Sequence, residues 1–368
     1  MKIAKFTFLA TAALAISAFS ACNTDSDPTP VEPVSDKLGF FVLNKESANS
    51  SSLGFFQVNN LTYHATFGNS QSLLNGAGKD MIRYGNKLYI SFEGGSGKVV
   101  VLDALTGNGI QTLSVNDARY LVGYKGKVYV SHGDRYVSQI DTTTFSVNSM
   151  EVGNTPEQLT AFGNKLYIAN SGAHQDDYDN KIAVVNTTSF ALENSIAIPG
   201  AVNLDKIAAD SVNKTLYVNA SATYDGDTKL TDSKLYTFSV DNGNINSNIP
   251  YGLDFVQAAY AFNTSTGASV PFLFATSSNK SGGATEYLCL TNLPNFVANN
   301  TYFQSTNEIK TVTGFKYIPE LFCVVIGSKE SGATNGAAFI YTWNPGYSNA
   351  TLFAKFESFN PIAFVASY

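Results

Sequence analysis

Charge is scarce in this chain, and so are the residues that build most catalytic or metal centres. Only 14% of its 368 residues are Asp, Glu, Lys or Arg, and it has three histidines, three cysteines and one tryptophan. His64, His132 and His174 show neither zinc-like spacing nor an acidic partner at a fixed offset. Cys289 and Cys323 each sit inside an apolar, strand-like run and read as buried thiols, with no metal spacing around them. No G-x-S-x-G elbow or Walker loop occurs; "GGSGK" at Gly94–Lys98 is neither. An enzyme is therefore not expected, and no cofactor is required. Basic residues form no cluster, which argues against nucleic acid or an anionic membrane surface as partner. Stretches with a 3.6-residue apolar period are missing, and after Phe19 no apolar run is long enough to span a bilayer. Thr, Ser, Asn, Tyr, Phe and Gly remain in abundance, and they favour strands and turns. The chain reads as all-β.

The first residues read as a targeting segment. "MKIAKFTFLATAALAISAFSAC" places Lys2 and Lys5 before an apolar run, then small residues, so residues 1–21 are expected to be a secretory signal. Its end, "FSAC", resembles the bacterial lipoprotein cleavage box, which makes Cys22 the expected lipidation site; an ordinary cut near Ala21 is the alternative. The following "NTDSDPTPVEPVSD" is acidic and Pro-rich, so residues 22–36 read as an extended tether. Residues 37–368 are left for the fold. Acidic residues directly behind a lipidated Cys resemble a surface-export signal. The expected location is the outer membrane, held through the lipid alone and facing the cell surface. With Lys2 and Lys5 removed, 21 basic residues face 29 acidic ones.

A unit recurs through the remainder. Apolar-alternating runs of the "LYIS" type centre on Phe41, Tyr89, Tyr129, Tyr167, Tyr217, Phe274 and Phe322, at intervals of 38 to 57 residues. Each is followed by a polar gap and a second run such as "KVVVLDALTG", "YVSQIDTTTF" or "KIAVVNTTSF", ending in turn residues. A further strand comes after, and an inner strand such as "DMIRYG" or "RYLVGY" comes before. Four strands per unit and seven units predict a seven-bladed β-propeller. The first unit lacks an inner strand, whereas the chain ends in the spare strand "NPIAFVASY". Closure is expected through pairing of that C-terminal strand into the first blade, which removes the open sheet edges. The units are too long for β-helix coils and too many for one sandwich.

In that architecture the connections entering the inner strands share a face with those joining the second and third strands. These connections are long here: "NKESANSSS", "SGAHQDDYDN", "SATYDGDTKLTDS", "TSSNKSGGATE" and "GSKESGATNG". Turns on the opposite face stay short, and growth on one face of a rigid scaffold is where binding residues collect. Aligned starts of the inner strands put Lys79 and Asp80, Arg119 and Tyr120, Glu157 and Gln158, Asp205 and Lys206, and Gln257 around the channel mouth. His174 and Tyr178 lie in the adjoining loop. Such a ring suits a large polar ligand held by many hydrogen bonds, although the same residues could instead satisfy one another around water. Asp176, Asp177 and Asp179, with Asp225, Asp227 and Asp232 one unit later, supply the hard oxygens that Ca²⁺ uses, but without the ligand order of an EF-hand.

The run "NDARYLVGYKGKVYVSHGDRYVSQIDTTTFSVNSMEVGNTPEQLTAFGNKLYIANSG" resembles the YncE-like surface propellers of Bacteroidetes. It looks nearest to their cobalamin-binding surface lipoproteins. An Arg-Tyr and a Pro-Glu-Gln at successive inner strands of those proteins match Arg119–Tyr120 and Pro156–Glu157–Gln158. "NKESANSSSLGFFQVNN" is similar to their opening stretch, departing from it at Lys45–Asn49. The resemblance covers roughly Leu38 to Ala220 and is poor in the last third. It implies a surface lipoprotein that binds a scarce nutrient, with a corrinoid (vitamin B12) as leading ligand, and passes it to a TonB-dependent outer-membrane transporter. Ferric-siderophore capture and a protein- or glycan-binding platform of the envelope are the alternatives, and a lactonase- or quinoprotein-like activity is a third.

Overall fold

The computed structural model describes residues 38–95, 97–172, 177–226, 228–249, 255–263, 268–277, 286–291, 308–342 and 350–367. The signal, Cys22 and the tether lie outside these residues.

Among the described residues antiparallel strands account for nearly all regular structure, and they gather into seven successive sheets plus one small hairpin. Sheet one holds Gly39–Ser47, Ser50–Gln57 and Thr62–His64, with Pro361–Ala366 added at its inner edge. Sheet two is built from Ala77–Tyr84, Lys87–Glu93, Lys98–Asp103 and Gly109–Ser114, and sheet three from Ala118–Tyr124, Lys127–His132, Tyr136–Asp141 and Val147–Glu151. Sheet four comprises Pro156–Phe162, Lys165–Asn170, Lys181–Asn186 and Ala191–Ala197. Leu204–Asp210, Thr215–Ala220, Lys234–Ser239 and Ile245–Ile249 form sheet five. Sheet six contains Phe255–Asn263, Ala268–Ser277 and Glu286–Thr291, and sheet seven contains Thr311–Ile318, Cys323–Lys329, Gly336–Thr342 and Thr351–Ser358. The first strand of each of sheets two to six touches the first strand of the next sheet. The first strand of sheet seven touches Pro361–Ala366, which in turn touches the first strand of sheet two.

Within a sheet, burial falls from the middle strands to the outermost one. In sheet two Leu88, Tyr89, Ile90 and Ser91 are all buried, whereas the outermost strand buries only Leu113. Apolar residues on both faces of its second and third strands are therefore needed, because sheets one and three pack against the two faces of sheet two. Separate apolar clusters fill the gaps, for instance Tyr89, Val101, Leu121 and Val130 between sheets two and three. Tight turns close the outer hairpins through side-chain acceptors. Asp103 Oδ1 accepts the N–H groups of Leu105 and Thr106, and Asp141 and Asn186 act alike after the third strands of sheets three and four.

Phe322 is a correction. It is no strand anchor: a short 3-10 turn at Pro319–Leu321 leaves Phe322 at φ +46°, and the strand starts at Cys323. Counted from the turn, Val325 takes the place that Tyr89 holds in sheet two, since Tyr89 faces Ile82 and Val325 faces Lys316, each in the third strand position.

The C-terminal strand lies beside the first strand of sheet one. Pro361–Ala366 pairs antiparallel with Gly39–Ser47, with Phe41 opposite Val365 and Val42 opposite Phe364. On its other side Thr313 Oγ1 donates to Pro361 O at 2.7 Å, and a Cβ on Gly327 would lie 2.1 Å from that same oxygen. Glycine is required there because the two backbones approach too closely for a side chain.

Candidate functional site

The inner strands enter the fold with a shared irregularity. Register breaks between Gly78 and Asp80, Ala118 and Leu121, Pro156 and Leu159, Leu204 and Lys206, and Val312 and Gly314. Bulges of this kind re-aim side chains at the rim of a sheet. They also free backbone donors, and hydroxyls of the second strand take these up. Asp80 N–H donates to Ser91 Oγ at 3.1 Å and Tyr120 N–H to Ser131 Oγ at 3.2 Å. Both serines are fully buried, so the Ser of the "LYIS" pattern serves the bulge.

Around the bulges of sheets two to five lies a balanced cluster of ion pairs. Glu93 joins Lys45 at 2.6 Å and Lys79 at 3.0 Å. Arg119 joins Asp117 at 2.8 Å and, across to the next sheet, Glu157 at 3.0 Å. Lys206 pairs with Asp205 at 2.8 Å, and Asn219 Nδ2 donates to the other oxygen of Asp205 at 3.0 Å. Four cations thus meet four carboxylates. Two of the ammonium groups, of Lys79 and Lys206, also sit over the Tyr120 ring at 5.3 and 5.5 Å from its centroid. That ring face is therefore engaged by cations, an attraction of the quadrupole for positive charge.

The electrostatics differ from member to member. Burial pushes the Glu157 carboxyl above the usual range, and the fields of Arg119, Lys79 and Lys206 only partly offset it. For Asp117 burial also acts upward, but the Gly94 N–H and Arg119 outweigh it and hold the group below the usual range. Glu93 is likewise held low, with burial overcome by Lys79 and Lys45. Burial opposes charge on Lys206, yet Asp205, Tyr120 and Glu157 raise its pKa well above the ordinary lysine value.

Three expected ring members reach sideways instead. Asp80 Oδ2 accepts the N–H of Leu121 at 2.9 Å, Gln158 Oε1 that of Ile207 at 3.1 Å, and Gln257 Oε1 that of Tyr317 at 2.9 Å. Gln257 Nε2 also donates to Tyr317 O. These side chains bracket one inner strand to the next and have few acceptors left for a ligand. Tyr120, Lys206 and Lys316 each precede a bracketed residue, which identifies Lys316 as a member of the same series that the sequence alignment missed. Among the described residues Lys316 makes no ion pair, and its charge is felt by Asp80 and Glu320. Lys45, Glu93, Asp117 and Asn219 were missed as well. Burial raises the Asp80 pKa despite its two backbone donors, so its ionised form is disfavoured in the folded state. A raised carboxyl stabilises below its unfolded pKa and loses that contribution as pH rises through the folded value. Asp80 Oδ1 and Oδ2 accept the N–H groups of Met81 and Leu121, so Asp80→Asn loses one acceptor and is expected to lower the melting temperature, by less at pH 7 than at pH 4, because the parent carries the cost of the buried charge only at the higher pH. A loss of equal size at both values would mean that the Asp80 charge carries no cost.

The loop candidates are scattered. Tyr178 is half-buried, Asp177 accepts a hydrogen bond from Asn154 Nδ2 at 2.9 Å, and Asp179 Oδ1 accepts the N–H groups of Asn180 and Lys181. The long connection of sheet five folds into its own hairpin, Thr223–Asp225 with Thr228–Thr231, where Asp225 is exposed and Asp232 pairs with Lys229. His174, Asp176 and Asp227 lie outside the described residues. Among the described residues no group of three or more His, Cys, Asp or Glu side chains is placed to hold a metal ion. His132 is buried, and its Nε2 meets Ser138 Oγ at 2.7 Å.

No family model and no curated protein matches the chain. Solved structures do resemble it. The periplasmic gluconolactonase PpgL of Pseudomonas aeruginosa superposes with a TM-score of 0.56 at 11% identity, over 89% of this chain and 98% of that one. A putative 6-phosphogluconolactonase of Bacteroides fragilis gives 0.55 at 10% identity, over 91% and 99%. The WD40 repeats of RRP9 give 0.56 at 7% identity, over 78% and 83%. The fold is a β-propeller. At these identities the likeness extends to architecture and no further.

Proposed function

We propose that the chain is a seven-bladed propeller, closed by its C-terminal strand, that binds a large polar nutrient on its loop-rich face. The cyclic order of contacts among the inner strands and the seating of Pro361–Ala366 beside Gly39–Ser47 support seven blades in a closed ring. The observation that carries the binding reading is the partly buried cluster of Lys79, Glu93, Arg119, Glu157 and Lys206, held in place by bulges on the face with the long connections. Donors and acceptors in equal number suit a ligand rich in amides and of low net charge. A corrinoid is such a ligand, and it is the one that the resemblance of Arg119–Tyr120 and Pro156–Glu157–Gln158 implies. On the same reading Cys22 carries the lipid, the protein faces outward from the outer membrane, and a TonB-dependent transporter receives the cargo.

The test is retention of colour. The protein is mixed in turn with cobalamin, cobinamide and a ferric siderophore, desalted, and read by visible absorbance. Retained corrinoid, weakened at least tenfold by Arg119→Ala in a protein that still folds, is the expected result. Retention of the siderophore alone transfers the proposal to iron capture. If nothing is retained, small-molecule capture falls and an envelope protein or glycan becomes the partner to seek.

A further inference from the structure

Sheet three holds a hydrogen-bond chain that runs from its buried interior to its exposed outer strand. His132, 8% exposed, donates to the backbone carbonyl of Asn116, and its Nε2 lies 2.7 Å from Ser138 Oγ. Ser138 is fully buried, and its Oγ lies 2.6 Å from that of Ser149, an exposed residue of Val147–Glu151. We propose that Ser149 is a nucleophile that takes the acyl group of a small aryl ester, with Ser138 and His132 relaying its proton.

The chemistry of the groups fixes the direction of each proton. With Nε2 turned to Ser138, the donor to Asn116 is Nδ1, so Nε2 carries the free lone pair. Ser138 must then donate to Nε2, and Ser149 must donate to Ser138. The exposed end of the chain is a hydroxyl whose proton is held inward and whose lone pairs are left for an electrophile. Burial keeps the imidazole below its ordinary pKa, so it is neutral at pH 7 and able to accept a proton.

The surroundings of Ser149 select the ester. Asp141 N–H donates to Ser146 O and Val152 N–H to Arg135 O, which fixes the phase of this ladder. Ser149 faces Ser138 in a pair without backbone hydrogen bonds, so its own N–H points off the open edge of the sheet. That N–H is the donor for the oxygen that becomes negative when the carbonyl is attacked. Val147, on the same face two residues earlier, is 38% exposed. Tyr136, diagonally across, is 42% exposed, with its ring stacked on His132 at 5.8 Å. The two supply apolar flanks for an aryl group. In the step itself Ser149 Oγ bonds to the acyl carbon, the bond from that carbon to the aryl oxygen breaks, and aryloxide leaves. The Ser149 proton moves to Ser138 as the Ser138 proton moves to His132, and the imidazolium balances the aryloxide.

The full chain is mixed with p-nitrophenyl acetate, and the released nitrophenolate is followed by absorbance. Separate samples, folded or unfolded in urea, are treated with diisopropyl fluorophosphate, and the label is located by peptide mass spectrometry. A label on Ser149 in the folded protein alone, and a burst of nitrophenolate that Ser149→Ala removes, are the expected results. Ser149 is exposed, so that variant should melt within a few degrees of the parent. Ser138→Ala, which cuts the relay but keeps the nucleophile, should slow the burst about a hundredfold, the lower range for proton transfer by a positioned group. A folded protein that takes no label, a label on Tyr136 or another residue in place of Ser149, or a burst that Ser149→Ala leaves unchanged overturns the proposal. So does a Ser138→Ala variant that melts like the parent and reacts at the parental rate. The outcome is independent of the corrinoid test, because Ser149 lies outside the cluster around Arg119.

Discussion

Phe364→Ala is expected to destabilise the protein by about 3–5 kcal/mol, the range for deleting a buried aromatic side chain. Phe364 is 2% exposed and lies opposite Val42 in the pairing between the last and first strands. Its ring meets Phe40 edge-on at 6.1 Å, and Phe40 in turn stacks on Phe56 at 5.2 Å. The cluster extends into sheet seven through Phe356, Val325 and Ile340. Removing one ring therefore opens a cavity where Pro361–Ala366 packs beside Gly39–Ser47. Natural domains are stable by roughly 5–15 kcal/mol, so a loss of this size is a large share of the total. Urea unfolding monitored by tyrosine fluorescence and by circular dichroism measures it. A loss below about 1 kcal/mol, or two probes that no longer coincide, would mean that the last strand is outside the cooperative unit.

The sequence made the strands legible because sheets such as two and four are buried on two faces and their middle strands are apolar, as in Leu88–Ile90 and Leu166–Ala169. The turn residues after them were equally plain, since Asp103, Asp141 and Asn186 do their work within three residues of themselves. Phe322 misled because an aromatic in a left-handed turn has the same composition signal as one in a strand. The site was half legible. Alignment found the inner-strand starts, yet a bulge breaks the two-residue alternation that assigns side chains to faces. Asp80, Gln158 and Gln257 thus turned out to bracket neighbouring strands, and Lys316 stayed hidden in a strand whose start had been placed on no pattern. Lys45 and Glu93 come from strands 48 residues apart, and only their contact reveals the pair.

Arg119→Met is expected to cost about 2–4 kcal/mol at pH 7.5 and markedly less at pH 4.5. Removing one partner from a buried ion pair costs about 3–5 kcal/mol, and the estimate is reduced for the solvent that still reaches these groups. The guanidinium is 15% exposed and holds two carboxylates, 25% and 18% exposed, from opposite sides. Without it Asp117 keeps the Gly94 N–H at 2.7 Å, whereas Glu157 keeps only the more distant fields of Lys79 and Lys206. Glu157 already binds its proton more tightly when folded than when unfolded, because burial raises its pKa. Its favourable contribution is therefore complete below the unfolded pKa and disappears as pH rises through the folded one, a loss that the variant enlarges. Asp117 runs the other way in the parent: its depressed pKa stabilises above the unfolded value and is lost as pH falls. The variant forfeits the share of that contribution that Arg119 supplies at neutral pH and has correspondingly less to lose in acid. Both effects shrink the difference between parent and variant as pH drops. Unfolding free energies of the two proteins at the two pH values give the comparison, and the double variant Arg119→Met with Glu157→Gln should recover part of the loss at pH 7.5. A penalty that does not change with pH would show that the guanidinium is not electrostatically coupled to these carboxylates, and that Arg119 acts through packing alone.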